Sequence, residues 1–117
     1  MKTERTAQSC QALAEKARSL NPDWDLVYGL LADLASAREG ESAKALYYQR
    51  SAYALCPDSP QRCWDLGEAY WRVGDRESAK LYLGRAVALC PELLRRDDNL
   101  ALAQELGVPI PDGIDKC

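Results

Sequence analysis

An all-α protein assembled from repeated helical hairpins is the fold class that this sequence predicts, on three observations. The stretch from Gly40 to Pro57, GESAKALYYQRSAYALCP, returns from Gly74 to Pro91 as GDRESAKLYLGRAVALCP, a period of 34 residues. Gly40/Gly74, Ala45/Ala79, Tyr48/Tyr82, Ala52/Ala86, Ala54/Ala88, Leu55/Leu89, Cys56/Cys90 and Pro57/Pro91 are identical in register. Apolar residues recur at the 3-and-4 spacing of one helix face, and Pro22, Gly40, Pro57, Pro60, Gly74, Pro91 and Gly107 separate segments of helical length.

The elements follow in order. Residues 4–20 place Ala7, Cys10, Ala14 and Ala17 on one face with Leu13 and Leu20 beside it. Helices are then expected at 24–38, 41–55, 60–72 and 75–89, with Asp23 and Ser59 as N-caps and Pro60 at the first helical position, where its missing N–H removes no bond. Gly74 ends one helix because glycine enters the left-handed region without steric cost, and Asp75 caps the next. Small residues at Gly67, Ala79 and Ala86 allow close approach of two helix axes, and Leu66, Tyr70, Leu83 and Leu89 are expected to be buried with them. After Pro91 the run Arg95-Arg96-Asp97-Asp98 interrupts the apolar pattern. Leu100-Ala101 restores it, and a helix through Leu106 is stopped by Gly107. Residues 108–117, VPIPDGIDKC, hold two prolines and a glycine and are expected to be an extended tail on a domain spanning 1–107. Gly29 and Gly84 lie inside helices, and the repeat pattern gives neither a role.

The second copy carries Leu66-Gly67, Tyr70, Gly74-Asp75, Ala79, Leu83, Ala86 and Pro91, and this set resembles the tetratricopeptide repeat (TPR), a helix-turn-helix unit of about 34 residues. One position departs from the pattern: Cys63 stands where the family usually has tryptophan, and Trp64 follows it. The first copy is weaker in its leading helix, with Ala32-Asp33 for Leu-Gly and Ser36 for the tyrosine. The resemblance implies a right-handed α-α superhelix of about six helices, two full repeats flanked by single helices. In such arrays the first helix of each unit lines a concave face.

Composition narrows the function. There is no histidine, so no ordinary Ser-His or Cys-His relay, and no glycine-rich strand-to-helix turn to hold phosphate. A net charge of −3, with Arg95-Arg96 followed at once by two aspartates, disfavours nucleic acid. No Cys-x-x-Cys pair is present among the five cysteines, so neither a metal nor a cofactor is expected. Cys10 and Cys63 read as small core residues, Cys56 and Cys90 as helix ends, and Cys117 as the reactive thiol. With no apolar leader after Met1 and no run long enough to span a bilayer, the expectation is a complete, non-enzymatic cytoplasmic protein with reduced thiols and no membrane insertion.

Recognition of another protein is what remains. Under the resemblance, the concave face corresponds to Val27, Leu30, Leu31, Leu34, Ala37 and Arg38 in the first unit and to Gln61, Trp64, Asp65, Glu68, Trp71 and Arg72 in the second. The first patch is apolar, and the second sets two tryptophans along one helix with two carboxylates between them. Such a surface needs a cover, and three are open: the chain's own termini, a second copy in a homodimer, or a partner peptide. The same spacing also describes core. TPR domains that hold an acidic chaperone C-terminus use lysine, asparagine and arginine here, whereas this chain has leucines, Asp65 and Glu68. An apolar or amphipathic segment with a lysine or arginine fits better. In size, acidity and apolar face the chain looks most like the small bacterial chaperones that hold secretion-system subunits before export, as in type III secretion. A structural adaptor or assembly factor is the alternative.

Overall fold

The computed structural model describes residues 12–38 and 40–111, and among these the chain has six α-helices, one 3-10 turn and no strand. α1 covers the described residues 12–20, and α2 to α6 are Asp25–Ser36, Ser42–Leu55, Pro60–Arg72, Arg76–Leu89 and Asp97–Leu106, with the 3-10 turn at Pro91–Arg95. Expectations for residues 4–11 with Cys10, and for 112–117 with Cys117, lie outside the described residues. None of the described helices is long and apolar enough to cross a membrane. The chain divides into two units, Met1–Cys56 and Pro57–Cys117.

In the first unit α2 packs along α3. The core joins Ala14 of α1, Val27, Leu31, Ala32 and Ala35 of α2, and Ala45 and Tyr48 of α3, with Ala17, Tyr28 and Leu34 packed against it. Four alanines in this cluster keep the helices close, because a methyl side chain fills little of the space between axes. The Tyr48 hydroxyl donates to Glu15 Oε1 at 3.1 Å, and Glu15 also meets Arg18 at 2.7 Å, which ties α1 to α3. Burial, then the bond to Glu15, pushes the Tyr48 phenol up from its ordinary value. Asp23 does not cap α2. The N-cap is Trp24, with extended backbone and no side-chain cap, because a turn in which the Trp24 N–H reaches the Asn21 carbonyl sets Asp23 one position too early. α2 stops at Ser36, short of the expected 38, and Gly40 turns the chain at φ 82°.

In the second unit α4 packs along α5, and α5 touches both the 3-10 turn and α6. Ser59 accepts from the Arg62 N–H at 3.3 Å with Pro60 in the first turn, and Asp75 accepts from the Ser78 N–H at 3.1 Å after Gly74 turns at φ 89°. Cys63, Leu66, Ala69, Ala79, Leu83 and Ala86 are buried, and Gly67 sits directly against Leu83. Tyr70 is half-buried and stacks on Tyr82 with ring centroids 5.5 Å apart. Leu89, expected in this core, is 52% exposed. At about 100° per residue it lies well off the stripe through Ala79, Leu83 and Ala86. The 3-10 turn supplies Leu94 in buried position, and α6 adds Leu102, Ala103 and Leu106. Asn99, itself buried, donates to the Leu93 carbonyl at 2.9 Å and locks the turn to α6. α6 ends at Gly107, φ 74°, where the Val108 N–H returns to the Ala103 carbonyl at 2.9 Å. Val108 is buried and Ile110 half-buried, so the start of the expected tail is packed.

Candidate partner-binding cleft

The residues singled out on the leading helices divide sharply by exposure. Val27 and Leu31 belong to the core of the first unit, Leu34 packs against it, and Leu30 is 48% exposed. Arg38 is half-exposed just beyond α2. In the second unit Trp64 is 2% exposed while Trp71 is 37% exposed. Val27, Leu31 and Trp64 therefore present no side-chain surface to a ligand, which corrects the expectation that they face an open groove. The physical reason is the width of the buried arc: on α4 it runs through Cys63, Leu66 and Gly67 and takes in the adjoining Trp64. The Trp64 Nε1–H has no acceptor among the described residues.

Asp65 is engaged along its own helix. It accepts from Gln61 Nε2 at 2.8 Å and faces Arg62 Nη1 at 3.5 Å. Glu68 is different, since neither it nor Glu105 makes an ion pair or side-chain hydrogen bond among the described residues. Both line a cleft of about 360 Å³ between α4 and α6, with Trp71 on the α4 side and Asp98, Ala101 and Leu102 on the other. Burial pushes the Glu68 carboxyl above its ordinary value, the Asp65 and Asp98 charges push the same way, and Arg72 and Arg96 oppose them. Asp98 is held by Arg96 at 3.3 Å and accepts from the Asn99 N–H at 3.0 Å. Arg72 is exposed at the end of α4.

Sequence reasoning missed the α6 wall. Asp97-Asp98 read as an interruption, although the Leu100-Ala101 register already placed Ala101 and Glu105 on a helix that follows α5. What the cleft suits is a cation on an apolar stem: the indole face attracts cations, two carboxylates unpaired among the described residues accept charge-assisted bonds, and Ala101 and Leu102 line the path of the methylenes. A metal fits less well, because no group of three or more Cys, Asp or Glu among the described residues converges closely enough to hold one.

Cys63 is buried with its Sγ donating to the Pro57 carbonyl at 3.6 Å, and burial raises its thiol, which disfavours the reactive thiolate. Cys56 and Cys90 are half-buried thiols at the ends of α3 and α5.

No protein-family model matches the chain, and no curated protein matches it significantly.

Proposed function

We propose that the chain is a protein-binding module of the TPR type that takes an apolar or amphipathic segment of a partner and reads a lysine or arginine on it through the α4–α6 cleft. The observation that carries this reading is the pairing of the exposed Trp71 with the unpaired, half-buried Glu68 in one concavity. A long basic side chain satisfies both at once, since its methylenes cover Ala101 and Leu102 while its head meets Glu68 and the indole. Enzymatic chemistry is not part of the proposal. Resemblance in size and acidity to secretion-system chaperones makes a cytoplasmic export client the first class of partner to test.

The test is fluorescence anisotropy of the whole chain with a labelled amphipathic peptide carrying one central arginine. Trp71→Ala and Glu68→Lys are expected to weaken binding about tenfold or more, and Arg→Gln in the peptide to do the same. Equal affinity in all four pairings refutes the reading. Affinity should also fall as the pH drops through the raised Glu68 titration, because the bound cation needs the ionised carboxylate.

A second reading, a homodimer or permanent adaptor, is favoured by a different observation: Leu13, Leu20, Trp24, Leu26 and Leu30 are all about half exposed or more in the first unit. Sedimentation of the purified chain separates it, since a monomer across micromolar concentrations excludes the homodimer.

A further inference from the structure

The α5 helix has a second apolar face, opposite the one that packs on α4. Leu81, Gly84 and Ala88 recur there at helical spacing, Ile110 and Pro111 form the facing wall, and the groove between them measures about 780 Å³. Gly84, like Gly29, is a position for which the repeat pattern supplies no role. A Cβ there would meet nothing within 4 Å among the described residues, so none of their side chains needs the space that glycine leaves. Glycine inside a helix is nevertheless unfavourable by about 0.5–1 kcal/mol relative to alanine. In the first copy the matching positions are Tyr47, Arg50 and Ala54, so the groove belongs to the second copy and is not a general property of the repeat.

Its rim is cationic in an acidic chain. Lys80 and Arg85 flank the floor with Glu77 as the single opposing charge, and neither cation is in an ion pair among the described residues. We propose that this groove docks an amphipathic α-helix of a partner protein whose apolar stripe is bordered by carboxylates. Gly84 and Ala88, one turn apart, let the axis of an incoming helix come close, Leu81 and Ile110 bracket its apolar stripe, and Lys80 and Arg85 meet its acidic borders. The charge also selects among occupants: a second copy packed on itself through this face brings both pairs of Lys80 and Arg85 into one interface. The site is separate from the Trp71 cleft and prefers the opposite charge.

The experiment uses the full chain and a labelled helical peptide of about 18 residues, five turns, with leucines on one stripe and glutamates beside it, against the same peptide with lysines for glutamates. The glutamate peptide is expected to bind about tenfold tighter or better, and Lys80→Glu with Arg85→Glu to invert that preference. Gly84→Leu should lower binding about tenfold while the melting temperature holds or rises, because the new side chain occupies open groove and glycine is removed from a helix. Trp71→Ala should leave this binding unchanged. Indifference to peptide charge or to Gly84→Leu overturns the proposal. So does dimerisation of the chain alone that Gly84→Leu abolishes, or binding that emerges only when residues 112–117 are deleted, since these give the groove to a second copy or to the chain's own end.

Discussion

Replacing Gly67 by alanine isolates the closest approach in the second hairpin. The added Cβ would lie 2.7 Å from both Cγ and Cδ2 of Leu83 and 3.0 Å from its backbone N. Carbon pairs settle near 3.5–4.0 Å, so the shortfall is about 1 Å. A rotamer change moves Cδ2 and Cγ, but the backbone nitrogen follows the helix, and α4 and α5 must give way. Overpacking of this kind costs about 1–3 kcal/mol, and the better helix propensity of alanine returns about 0.8–1.0, leaving a net loss of about 0–2. At about 4 °C per kcal/mol the melting temperature falls by a few degrees. Gly84→Ala is the matched control: the same exchange in the partner helix, with nothing within 4 Å, should stabilise by about 0.5–1 kcal/mol. Urea unfolding followed by far-UV circular dichroism reads both. If Gly67→Ala is stabilised as much as Gly84→Ala, or Gly84→Ala is less stable than the parent, the packing argument is wrong. Truncating Leu83 to alanine in the Gly67→Ala background should recover about 1 kcal/mol against the sum of the single changes.

Three further outcomes are expected. Ala79→Leu, at a position with no exposure, should cost about 1–3 kcal/mol by overpacking in the same unfolding assay, and a neutral result argues against a close-packed hairpin. Ser59→Ala and Asp75→Ala each remove an acceptor from a helix N-terminus and should each lower stability by about 1 kcal/mol, additively because they cap different helices. Glu68→Gln should raise stability at neutral pH, with the difference vanishing in acid. The folded carboxyl titrates above its ordinary 4.5, so the fold favours the protonated form, and that contribution is present at low pH and lost as pH rises through the raised value. A variant less stable than the parent at pH 7 would refute it.

Local rules were legible wherever a single turn of backbone decided the outcome. Ser59, Pro60, Gly74, Asp75 and Gly107 each act where the chain places them, because a cap or a left-handed glycine depends only on neighbours a few residues away. Asp23 failed for an equally local reason, one residue of offset in the turn after Pro22. The 34-residue repeat likewise specified which helices pair, since Gly67, Ala79, Leu83 and Ala86 are small or apolar at the one spacing that puts them on facing stripes. Exposure was another matter. Trp64 and Trp71 stand about two turns apart at nearly the same azimuth of α4, and pattern alone treats them alike. One is buried and the other lines a cleft, because burial depends on what lies beyond the helix at each height along its axis. The same holds for Glu68 and Asp65: both read as carboxylates of one concave face, yet Asp65 bonds along its own helix while α6 walls the cleft that holds Glu68. Sequence by itself determined the helices, the caps of α4 and α5 and the pairing of the helices, which are set by short-range sterics and periodicity. Only the tertiary structure decided which faces stay open, because desolvation is a sum over neighbours that the chain brings together from far apart.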